Sequence, residues 1–84
     1  MELRLFLFER RIPQLRVCEA AQRLGLPLDQ GDLSRFCNGK INEPRAALLR
    51  DRIRRALLAL DGVTPADVHA IPDLREPKRT AREA

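Results

Sequence analysis

The sequence predicts a small all-α domain of four to five short helices, and three observations lead to it. Apolar residues recur at spacings of three and four along most of the chain. Gly25, Gly39 and Gly62 fall just after such runs, where a helix gives way to a loop. Pro13, Pro44 and Pro65 fall just before the next ones, where a missing amide proton does no harm. Three Phe are the only aromatics in 84 residues, so the core is aliphatic. A chain of this length forms one domain with limited buried surface, and it depends on tight packing or on a partner.

Residues 2–11 read as a first helix with Leu3, Phe6 and Leu7 on one face and Leu5, Phe8 and Ile12 widening it. The alternation of Leu3, Leu5 and Leu7 also permits a strand. Pro13 breaks the chain there. Residues 14–24 form a second helix, with Val17, Ala20, Ala21 and Leu24 inward and Arg16, Glu19, Gln22 and Arg23 outward. Gly25 ends it, and Leu26-Pro27-Leu28 is the connection.

Asp29 caps a third helix, over residues 29–38, that stops at Asn38-Gly39. Leu33 and Phe36, with Cys37, make a narrow apolar stripe, while Gln30, Ser34, Arg35 and Lys40 supply hydrogen-bonding groups. A short helix with an apolar back and a polar front suits the DNA major groove. Its position after an amphipathic segment and a Gly-containing turn is that of a helix-turn-helix.

Pro44 opens a long helix to about Leu60, with Ala46, Leu49, Ile53, Ala56, Leu57 and Leu60 inward and Arg45, Arg52 and Arg55 on the other face. Arg50 and Arg54 lie to the side, and most of these arginines read as a solvated face rather than as DNA contacts. Thr64-Pro65-Ala66-Asp67 is a capping signal for a short helix over residues 65–70. Val63, Val68 and Ile71 either close the core or cover a dimer seam. The domain is expected over residues 1–71. A polar flexible tail follows over residues 72–84, in which Lys78, Arg79 and Arg82 are within reach of phosphates.

The net charge is +4, the sequence pI is about 10.0, and Lys40 and Lys78 are the only lysines among sixteen basic residues. Arginine suits phosphate and guanine edges, although a GC-rich genome also favours it. From Arg35 to Arg55 seven basic residues face only Glu43 and Asp51, so the positive charge concentrates beside the third helix. Cys18 and Cys37 fall on apolar faces and read as buried free thiols in a reducing cytoplasm. With His69 as the one histidine, no metal set or cofactor site is expected, and a chain this small leaves little room for an enzyme pocket. Met1 to Phe8 is too short to span a membrane and lacks a cleavage site, so the expected address is cytoplasmic.

The run from Arg16 to Gly25, then Asp32-Leu33-Ser34-Arg35-Phe36-Cys37-Asn38-Gly39-Lys40, a loop, a proline and a Leu-rich helix, resembles the lambda-repressor-like family of helix-turn-helix regulators, the Cro and phage-repressor or XRE type. Recognition helices there end apolar-Ser-x-x-x-Asn-Gly-Lys, and Leu33-Ser34 with Asn38-Gly39-Lys40 reproduces that ending. Gln14 matches a glutamine common at the start of helix two. The resemblance covers about residues 3–60. The stretch from Cys18 to Gly25 and the turn after it are longer than usual in the family, and Gly31-Asp32 stands at the helix entrance.

The resemblance implies a set of DNA contacts. Gln30 pairs with a base edge, Arg35 reaches a guanine or phosphate, and Ser34 touches a base or backbone oxygen. Asn38 and Lys40 hold phosphates, while Gln14 clamps a phosphate and supports Gln30. Two residues depart from the family pattern: Gly31 costs helix stability while permitting close backbone approach, and Asp32 disfavours phosphate while offering an acceptor to a cytosine amine. The function expected is a sequence-specific transcriptional regulator, a phage- or prophage-type repressor, binding operator DNA as a homodimer through the helix at residues 29–38. The helices at residues 44–60 and 65–70 are the expected dimer surfaces. The alternative is a small helical protein-binding module, phage-encoded, that inhibits or adapts a host protein.

Overall fold

A computed structural model describes residues 2–75. The described residues are all-helical: α1 (Leu3–Glu9), α2 (Gln14–Arg23), α3 (Gln30–Cys37), α4 (Arg45–Leu58) and α5 (Pro65–His69), followed by a 3-10 turn at Pro72–Leu74. The alternation in the first segment resolves as helix, with Leu3, Phe6 and Leu7 buried and Leu5 exposed.

The longest helix organises the rest. α2, α3, α5 and the 3-10 turn all pack on α4, whose Leu49, Ile53, Ala56 and Leu57 are fully enclosed. α2 meets it with Val17, Cys18, Ala20 and Ala21, and α3 with Leu33. Ala20 and Ala21 on α2 are small enough to allow close helix approach, and the buried core is aliphatic apart from Phe6. Val63, Val68 and Ile71 close this core rather than face outward.

Helix ends follow the expected signals. The Asp29 carboxylate accepts the Asp32 N–H at 2.7 Å, and Thr64 and Asp67 form a reciprocal capping box. Pro44, after a cis Glu43–Pro44 bond, precedes α4 as its cap residue. α1, α2 and α3 share one C-terminal motif. In α2, Leu26 N–H donates to the Ala21 carbonyl and Gly25 N–H to that of Gln22; Lys40 and Gly39 do the same for Arg35 and Phe36 in α3. Gly25 and Gly39 supply the positive φ this requires. In α1 the same position is Arg11, at φ +56°, with Ile12 and Arg11 donating to Leu7 and Phe8.

Three expectations are corrected. Leu24, assigned to the inner face of α2, is exposed, because the helix ends at Arg23 and Leu24 turns with the cap. Arg50, placed to the side, is buried and is the sole buried charged residue among those described. Its guanidinium donates to Glu43 at 2.7 Å, and that carboxylate also caps α4 at the Ala47 N–H. The tail does not start at residue 72. Leu74 is buried, the Leu3 N–H donates to the Asp73 carboxylate at 3.1 Å, and Arg54 donates to the Leu74 carbonyl. The packed domain therefore runs past residue 71, while Lys78, Arg79 and Arg82 lie outside the described residues.

A left-handed backbone costs an L-residue about 1–2 kcal/mol, part of which glycine returns as extra unfolded-state freedom. Arg11→Gly is therefore expected to stabilise the domain by about 0.5–1 kcal/mol, measured by urea unfolding. An unchanged or lower midpoint would show that the Arg11 side chain compensates for its own backbone strain.

Candidate nucleic-acid interface

The residues of α3 grade from a buried to an exposed side. Leu33 is fully buried, with Phe36 and Cys37 packed partly against the core. Gly31, Arg35 and the cap residue Asn38 fall on the opposite side, while Gln30 and Ser34, at i−7 and i−3 from Cys37, lie between that side and the core stripe. Gln30, Gly31, Arg35 and Asn38 are exposed and Ser34 is half-buried. Lys40 stands exposed in the loop beyond, and its backbone N–H closes the end of α3. Five of the seven expected contact residues thus share one ridge, with Lys40 just past its end.

Gln14 is the first residue of α2 and is half-buried. Among the described residues no hydrogen bond joins it to Gln30, so the support expected between the two is not formed in the free chain.

Asp32 is the residue whose role changes most. Its two carboxylate oxygens accept from Arg35 Nη2 at 3.0 Å and from Arg45 Nη2 at 2.7 Å. Its side chain is 14% exposed, beneath two arginines whose side chains are 58% and 55% exposed. It is an anchor shared by two cations rather than an acceptor held out for a cytosine amine. Hydrogen bonds from Arg45 and then from Arg35 hold its carboxyl below the usual range. The interaction is therefore complete above the ordinary carboxyl range near pH ~4, and is lost as the pH falls through the lowered value.

The Arg35 guanidinium also folds back along the helix. A Cβ on Gly31 would sit 3.5 Å from Arg35 Nη2 and 3.5 Å from Asp29 Oδ1, which is ordinary contact. Nothing among the described residues requires glycine at position 31, so the helix gives up stability there without a reason visible in the fold.

The basic run from Arg35 to Arg55 is largely engaged within the fold. Arg50 pairs with Glu43, and Arg54 and Arg55 with Asp51. Arg52 donates to the Pro27 carbonyl at 2.8 Å and ties the α2–α3 turn to α4. Among the described residues Lys40 is the member of this run with no ion pair or side-chain hydrogen bond. Sequence reasoning missed Arg45 as a neighbour of α3, since thirteen residues separate it from Asp32. The Asp32–Arg35 contact, at i,i+3 on one helix, was within reach of charge-pattern reading.

Cys18 is buried and Cys37 half-buried, both as free thiols. Burial raises both, Cys37 to about 11, which makes them poor nucleophiles. No helix of the described residues is long and apolar enough to cross a membrane. No protein-family model, curated protein or solved structure matches the chain.

Gly31→Ala separates the two roles open to that glycine. It is expected to raise folding stability by about 0.5–1 kcal/mol, through helix propensity alone. If the α3 backbone at residue 31 approaches a ligand closely, the same variant binds more weakly despite the firmer fold. Gains in both stability and binding would remove position 31 from the interface.

Proposed function

We propose that this chain is a sequence-specific double-stranded DNA-binding regulator of transcription, of the phage- or prophage-repressor type, acting in the cytoplasm. It reads an operator through α3. The observation that carries this reading is the polar ridge of Gln30, Gly31, Ser34, Arg35 and Asn38, presented outward by a helix whose opposite side is fixed in the core. α2 and the turn before α3 supply the first helix and the turn of a helix-turn-helix, and Lys40 and the sequence pI near 10.0 suit a phosphate backbone. Gln30 offers an amide to adenine, Arg35 a fork to guanine, and Asn38 and Lys40 set register on phosphates.

One small module buries limited DNA surface, so a homodimer on a two-fold operator belongs to the proposal. Val63, Val68 and Ile71 are spent on the monomer's core, which leaves exposed Leu15 on α2, Leu24 at its end, and Leu48 and Leu58 on α4 as apolar surface there, with Leu24 and Leu58 lining one open cleft.

The second reading, a protein-binding module that inhibits or adapts a host protein, draws on two observations. Phe8 is 80% exposed on α1 with Leu5 beside it at i−3. Most arginines near α3 are engaged inside the fold, which lowers the charge left for DNA.

Salt separates the two. A DNA binder loses affinity on a log–log scale with a slope of about −0.9 per phosphate contact, so with Lys40 from each of two subunits a slope of about −2 or steeper is expected here. Gln30→Ala should lower affinity for a selected site by about 5- to 100-fold and leave random duplex nearly unchanged. Equal losses on both DNAs would contradict base reading. Salt-independent capture of a protein partner, without duplex binding, would favour the second reading.

A further inference from the structure

We infer that Asp32 is a positioning residue for DNA specificity, and that Arg45 is a DNA contact beside the ridge of α3. The inference rests on the DNA-binding reading above and adds to it a mechanism for one base preference.

The geometry has three parts. Asp32 lies low, with its carboxylate mostly covered, while the two arginines that it holds are more than half exposed. Each guanidinium gives one Nη2 to the carboxylate, and no other hydrogen bond engages either among the described residues. A guanidinium carries five N–H donors in a rigid fork, so most of each remains available to solvent. The two arginines come from different helices, Arg35 from the last turn of α3 and Arg45 from the first residue of α4.

A shared carboxylate does two things for such a pair. It offsets the repulsion between two cations held close together, and it fixes long side chains whose freedom would otherwise be lost only on binding. The pair keeps a net charge of +1. That is a weak magnet for phosphate in general, and a good template for one planar acceptor edge next to one phosphate. Guanine offers O6 and N7 as that edge in the major groove. Arg35, on the ridge with Gln30 and Ser34, is placed for the base, and Arg45, off the ridge, for the flanking phosphate. Asp32 itself repels phosphate, so it costs affinity on every sequence and returns discrimination at one position.

The experiment measures affinity for a duplex selected from a random pool and for random duplex, at several salt concentrations, for the wild type, Asp32→Asn, Arg35→Lys and Arg45→Ala. Thermal unfolding of each variant accompanies the binding. Asp32→Asn is expected to bind random duplex more tightly and to lose about 5- to 100-fold of the preference for guanine at one position. Arg35→Lys keeps the charge and should lose the same preference, since an ammonium cannot fork. Arg45→Ala should weaken both DNAs alike and flatten the salt slope by about one contact per subunit. A merely structural Asp32 would lower the unfolding temperature and weaken both DNAs equally, which overturns the inference. So does a wild-type guanine preference retained by both Asp32→Asn and Arg35→Lys. Failure of the wild type to bind any duplex at low salt would instead sink the DNA-binding reading, and this inference with it.

Discussion

Everything in this domain hangs on the buried stripe of α4. Leu49, Ile53, Ala56 and Leu57 have no contact with solvent, and α2, α3, α5 and the 3-10 turn each reach the core through that helix. The arginines on its flanks then act as ties. Arg45 reaches Asp32 on α3, Arg52 the Pro27 carbonyl in the α2–α3 turn, and Arg54 the Leu74 carbonyl after α5. Burial of the stripe supplies the driving force, while exposed ion pairs add at most ~1 kcal/mol each and chiefly fix orientation. The angle at which α3 faces outward is therefore set from behind, by Leu33 in the core and by Arg45 and Arg52 at its edges.

The same fact changes what the charge of the chain means. A net +4 concentrated near α3 looks like an electrostatic footprint when it is read along the sequence. In three dimensions Asp32 joins the cluster from outside the run, and Glu43 and Asp51 take three more arginines between them. What remains is a sparsely charged face in which a few donors are held in place. Such a face gains from shape and hydrogen bonding more than from bulk attraction. The two carboxylates at the start of α3 suit its positive helix end and steady the helix that carries the ridge.

Much of the fold was legible because local chemistry and tertiary packing agree. Asp29 and Thr64 cap where their side chains can reach an N–H, and Gly25 and Gly39 end helices where φ turns positive. The ridge of α3 was legible for the same reason, since its period follows from helix geometry. The failures lie where distant groups meet. Leu74 looked like part of a polar tail, yet it fills a gap that α4, α5 and α1 leave between them. Arg50 reads as one more surface arginine, and its burial depends on Glu43 arriving from the preceding loop. Arg45 became a neighbour of α3 only through folding. Arg11 is a case of its own, because the helix-stop signal is present in the hydrogen bonds and missing from the residue type.

The central claim is that a rigid polar ridge on α3 reads base sequence. Selection of this chain's targets from random duplex DNA at physiological salt addresses it most directly. Enrichment of a short motif repeated with two-fold symmetry, its half-sites about one helical turn apart, is the outcome expected of a dimeric helix-turn-helix reader. A pool that binds yet stays random after repeated rounds would contradict base reading by α3 and leave only phosphate attraction to explain the binding.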